Sequence, residues 1–127
     1  MRIAFGFVAA IAFAAVPALA HHSFEAEYES NKTATVTGVV TKVDWVNPHA
    51  YIFVNTKDDA GVTKEIRIEL GPPYALVRGG WKKDTVKIGD TITVEGAALA
   101  KNPANAWVGS LPTTFLLRPD GSKLPMR

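Results

Sequence analysis

From Lys32 the chain is rich in Val and Thr, and apolar and polar residues alternate with the period of two that marks a half-buried strand. In "KTATVTGVVTKVDWVN" the alternation runs through Ala34 and Val36. It then changes phase near Gly38, so that Val39, Thr41, Val43 and Trp45 lie on the other parity. A glycine at a change of phase predicts a bent or bulged strand. Pro48 in "NPH" has no N–H for a ladder and ends it. "AYIFVNT" predicts a second strand with Ala50, Ile52 and Val54 on one face. "KDDAG" supplies turn residues. "VTKEIRIEL" predicts a third strand, with Ile66, Ile68 and Leu70 inward and Glu65, Arg67 and Glu69 outward.

"GPPYALVRGGW" breaks the period. Pro72 and Pro73 suit the first turn of a short helix and Gly79 its end. "KIGDTITVEG" predicts a fourth strand with Ile92 and Val94 inward. "AWVGSLPTTFLL" predicts a fifth, interrupted near Pro112, and "RPDGSK" a turn before a short tail. A long bent strand, two more strands, a short helix and two strands form the order of an OB-type barrel. The expected fold is therefore all-β: a small five-stranded OB-like barrel with one short helix between strands three and four. An open sandwich or an SH3-like barrel are the alternatives.

Ahead of this pattern, "MRIAFGFVAAIAFAAVPALA" has the parts of a secretory signal: Arg2, the apolar run Ile3 to Val16, Pro17, and Ala18-Leu19-Ala20 as a cleavage site. The apolar run falls short of the ~20 residues a bilayer span needs. Residues 1–20 are expected to be removed, leaving a single domain over 21–127 with an extended N-terminal arm at 21–32, and no stable membrane insertion after processing. The expected location is the periplasm or the exterior. The formal charge of +2 falls to +1 without Arg2, and the lysines are scattered. Neither suggests a nucleic-acid partner. The chain has no cysteine, so the fold does not rely on disulfides.

"AHHSFEAEY", "VTKVDWVNPHAYIFV", "ELGPPYALVRGGW", "GDTITVEG" and "LRPDGSKL" occur in this order. Together they resemble the DUF6152 family, small exported bacterial proteins of uncharacterised function. The resemblance covers nearly the whole of 21–127, and "WVNPHA" and "RGGW" are its more specific parts. It implies export and carries no activity.

Cleavage after Ala20 would make His21 the first residue, placing a free α-amine and an imidazole on one residue. His22 and His49 are the only other histidines of the chain. A terminal amine with imidazoles favours Cu(II), which leads the divalent affinity order and accepts nitrogen ligands in tetragonal geometry. Zinc is second, because no cysteine and no obvious carboxylate ligand accompany the histidines. Third place, which a three-residue amino-terminal copper motif gives to histidine, is Ser23. The α-amine has an ordinary pKa of ~7.7–8.0, so binding should weaken as pH falls and protons compete for the same nitrogens. Pro48 fixes the backbone before His49, and Asn47 can cap the turn through its side chain. A terminal disordered "HHS" and a His49 bonded only to backbone are the structural alternatives.

Trp45, Asn47 and Tyr51 flank the same turn and suggest a stacking face for a glycan, small molecule or envelope protein partner. Trp81, after a helix end, is expected in the core. Glu65, Arg67 and Glu69 are expected as a solvated face with a local ion pair of ~0–1 kcal/mol. The acidic spacing of Glu25, Glu27 and Glu29 is expected to give a solvated edge. "DDAG" at 58–61 lacks the ligand periodicity of a calcium loop. No G-x-S-x-G, H-E-x-x-H or P-loop occurs. The function expected is an exported non-catalytic binding module, holding copper through His21, His22 and His49. The alternative is a metal-free module using its aromatic face.

Overall fold

The computed structural model describes residues 24–127. The expected leader at 1–20, His21 and His22 lie outside the described residues. Residues 24–27 form a helical turn. The strands are β1 (Tyr28–Asp44), β2 (Tyr51–Lys57), β3 (Thr63–Glu69), β4 (Thr91–Ala100), β5 (Trp107–Gly109), β6 (Phe115–Leu117) and β7 (Lys123–Pro125), with the helix α1 (Pro73–Arg78) between β3 and β4. The protein is mostly β-sheet, as the period-two pattern predicts. The sheet has seven strands in the order β1-β2-β3-β5-β4-β6-β7, with a further β1–β4 pairing.

Seven strands replace the expected five for two reasons. Pro112 does more than interrupt the last predicted strand. Thr114 Oγ1 accepts from the Leu111 N–H and donates to Gly96 O, both at 2.7 Å. This makes a turn that separates β5 from β6. The predicted tail is a strand as well. Arg118 and Ser122 close a turn around Asp120 and Gly121 (φ +84°), and β7 pairs antiparallel with β6. The Ser122 hydroxyl, followed by its N–H, holds the Asp120 carboxyl below the usual range.

The first strand begins four residues before Lys32. Tyr28 and Glu29 pair with Ala100 and Leu99, so 28–32 of the expected arm is sheet. β1 pairs with β4 up to Val39 and with β2 from Val39 onward. Gly38 stands beside this change of partner. A Cβ there would lie 2.5 Å from Asn55 O, so the glycine serves close approach of two backbones. The change of phase falls between Val40 and Lys42 instead. Val39 therefore points to solvent while Val36 and Val40 are buried.

The core takes the inward faces as the alternation predicts: Ala50, Ile52 and Val54 of the second strand region, Ile68 and Leu70 of the third, Ile92 and Val94 of the fourth. Ile66 is half-buried against them. Helix α1 is too short to hold itself together. Pro73 opens it, and the backbone closes it in a Schellman arrangement: the Gly80 N–H donates to Val77 O and the Trp81 N–H to Leu76 O. The left-handed residue is Gly80 (φ +108°), one place after the predicted terminator Gly79. This reversal delivers Trp81 to the core beside Leu76. Its Nε1–H donates to Pro125 O at 2.7 Å.

Candidate functional site

The C-terminal end of β3, the start of β1 and the 45–50 turn meet at Glu69. This carboxylate was expected to be solvated, but it is 8% exposed. Burial of a carboxylate is costly unless its oxygens are hydrogen-bonded, and both are. Tyr28 Oη donates to Oε2 at 2.7 Å. The His49 Nδ1–H donates to Oε1 at 2.6 Å. Arg67 Nη2 donates to Tyr28 Oη at 3.1 Å, which completes a relay from Arg67 through Tyr28 and Glu69 to His49.

Backbone contacts fix this carboxylate in place. Ser110 donates to Glu69 O from both its hydroxyl (2.6 Å) and its N–H (2.9 Å). Ala50 exchanges backbone bonds with Leu70 and Gly71, which brings the residue after His49 against the residues after Glu69. Burial, then the hydrogen bond and charge of Glu69, push the Tyr28 phenol well above its ordinary value. Burial and the Glu69 charge raise that of Tyr51 as well.

Arg67 is held by aromatic faces. Its guanidinium carbon lies 4.0 Å from the Trp107 ring centroid and 5.2 Å from that of Tyr51, close enough for cation–π attraction. Its Nε is buried and has no partner among the described residues.

The N-terminal stretch docks on the same end. The Phe24 ring packs 4.8 Å from the Tyr28 ring, and Arg127 covers Phe24 at 4.7 Å. Gly109 makes room for both rings: a Cβ there would lie 2.8 Å from Phe24 and 2.9 Å from Tyr28.

A carboxylate on Nδ1 fixes the imidazole tautomer and leaves Nε2 as the basic nitrogen. This is the arrangement by which an outer carboxylate orients a metal-ligating histidine. His49 is half-buried, with its side chain 26% exposed. Among the described residues no group of three or more His, Asp or Glu forms a metal cluster. His21 and His22, the other expected ligands, lie outside the described residues.

The three residues expected as an aromatic face have different surroundings. Trp45 packs 6.4 Å from Trp81 and against the core. Tyr51 stands beside Arg67, and Asn47 is exposed in the turn. The crevice that Trp45, Tyr51 and Trp81 border has a volume of about 10 Å³, no more than one water needs. Of the outward carboxylates on β3, Glu65 remains exposed and accepts from Thr41 Oγ1 at 3.0 Å.

Tyr28, Glu69 and Arg67 were not anticipated as one cluster. The signal available was Phe24 and Tyr28 four residues apart ahead of the strand, with Glu69 the last polar residue before "LGPP". The motifs on which the resemblance rests converge here: "AHHSFEAEY" supplies Phe24 and Tyr28, "WVNPHA" supplies His49, and "ELGPPY" supplies Glu69.

Among the described residues no helix is long and apolar enough to cross a membrane. No curated protein and no solved structure matches the chain. The model of a family of unknown function, DUF6152, matches residues 9–106, and the chain belongs to that family.

Proposed function

We propose that this protein is an exported, non-catalytic module that binds Cu(II) at the His49 end of the sheet. Removal of residues 1–20 in transit to the periplasm or beyond frees the amine of His21. That amine and the imidazoles of His21, His22 and His49 supply the nitrogens. The observation that carries the reading is the 2.6 Å bond from His49 Nδ1 to Glu69. It holds the ring by a buried carboxylate and leaves Nε2 for a metal.

Reach supports the same reading. His22 precedes Phe24 by two residues, at most ~7 Å of chain. Phe24 packs on Tyr28, and Tyr28 shares Glu69 with His49. All-nitrogen donors favour copper over zinc.

For the fold, the reading is an OB-like barrel. The pairings β1–β2, β2–β3, β3–β5, β5–β4 and β4–β1 return to their start, β3 and β5 run parallel, and α1 lies between β3 and β4. The β6–β7 hairpin extends from β4.

Calorimetric titration of the processed protein with Cu(II) tests the function. One equivalent should bind near pH 8 and bind more weakly as pH falls through the amine range of ~7.7–8.0. An added alanine before His21 and, separately, His49→Ala should each weaken binding. Unchanged binding in both variants overturns the proposal.

A further inference from the structure

A second concavity lies apart from the His49 ring, on the side of Trp107 and the 101–106 loop. It has a volume of about 480 Å³, within the range of small-molecule sites. Its floor is apolar. Leu99 is 37% exposed there, and Ile66 and Trp107 are half-buried beside it. Its rim is cationic: Lys32, Lys64 and Lys101 line it, against one carboxylate, Glu29.

Glu29 is engaged by Lys32 at 3.1 Å. Lys64 and Lys101 make no ion pair among the described residues. The pocket thus combines an uncovered hydrocarbon surface with two uncompensated ammonium groups. That pairing is selective. A purely apolar ligand would leave the cations unused, an inorganic anion would leave the floor wet, and a cationic amphiphile would be repelled. We propose that this pocket binds a small anionic amphiphile, an organic acid with an apolar body that lies on Leu99, Ile66 and Trp107 and an anionic head held by Lys64 and Lys101.

The test uses 8-anilinonaphthalene-1-sulfonate, an anion with an aromatic body whose emission rises on leaving water. It should bind saturably with one site per chain. Decanoate should displace it, while decylammonium and inorganic phosphate should not. Raising salt should weaken binding. The double variant Lys64→Glu/Lys101→Glu changes exposed residues only and should keep the melting temperature, with affinity at least tenfold lower. Leu99→Ser should lower affinity in the same direction.

Four results overturn the proposal: no saturable binding, equal affinity in the charge-reversed protein, displacement by decylammonium as strong as by decanoate, or displacement by phosphate as strong as by decanoate. Copper titration of the charge-reversed protein should match the parent, which keeps this pocket distinct from the His49 site.

Discussion

His49 and Glu69 are twenty residues apart in the chain and joined by a 2.6 Å hydrogen bond between Nδ1 and Oε1. One partner comes from the turn after β1 and the other from the last residue of β3. The register of β2 against β3 fixes the spacing: Tyr51 pairs with Glu69, so the residues just before Tyr51 fall beside the end of β3. A histidine two positions before Tyr51 is thereby set over a carboxylate that the sheet has already buried.

Glu69→Gln keeps the size of the side chain but offers His49 an amide in place of a charge. Copper affinity should fall by about 10–100-fold, the usual cost of altering an outer-shell partner. The melting temperature should fall as well, because one of the two donors, Tyr28 or His49, then faces the amide NH2, itself a donor, and loses its partner. Titration and thermal melts measure the two effects separately.

Tyr28 gives the protein an alkaline limit. Its phenol holds its proton more tightly when folded than the ordinary value of 10.0, so above that pH the unfolded chain loses a proton that the folded chain keeps. The contribution is present in full below pH 10 and is lost as pH rises, with a slope of up to ~1.4 kcal/mol per pH unit. Denaturant melts between pH 9 and pH 11 should show a steeper fall for the parent than for Tyr28→Phe. Equal slopes would remove Tyr28 from the account.

Gly109→Ala places a methyl group into the space of two rings, at 2.8 Å from Phe24 and 2.9 Å from Tyr28. Overpacking of this kind costs ~1–3 kcal/mol. The easier relaxation lifts Phe24 away, so near-ultraviolet circular dichroism should change and copper affinity should drop with it.

Gly80→Ala tests the Schellman turn that places Trp81. A side chain at φ +108° is strained, and Leu124 Cδ2 would stand 3.3 Å from the new Cβ. Stability should fall by ~1–3 kcal/mol, with tryptophan emission shifted to the red as Trp81 gains water.

The parts that were legible in the sequence are those set by local pattern. The third strand alternates cleanly, and the second shows Ala50, Ile52 and Val54 on one parity, because each puts that face on the core. The helix announced itself by Pro73 at its start and glycines at its end. His49 stood out because Pro48 makes a turn there. The missing parts depend on distant partners. Glu69 looks outward by parity, and only Tyr28, 41 residues away, and His49 explain its burial. β6 and β7 have three residues each, too few for a period to be seen. Gly38 was legible as special, but the reason, the close approach of Asn55 O, belongs to a strand pairing and not to a bulge.

On the proposed function, His49 shares a copper ion with the amine and imidazole of His21. Electron paramagnetic resonance of the Cu(II)-loaded processed protein, compared with His49→Ala, reads this sharing at the metal itself. Nitrogen hyperfine structure in the parent should lose one nitrogen in the variant. Superimposable spectra at one equivalent of copper would contradict it.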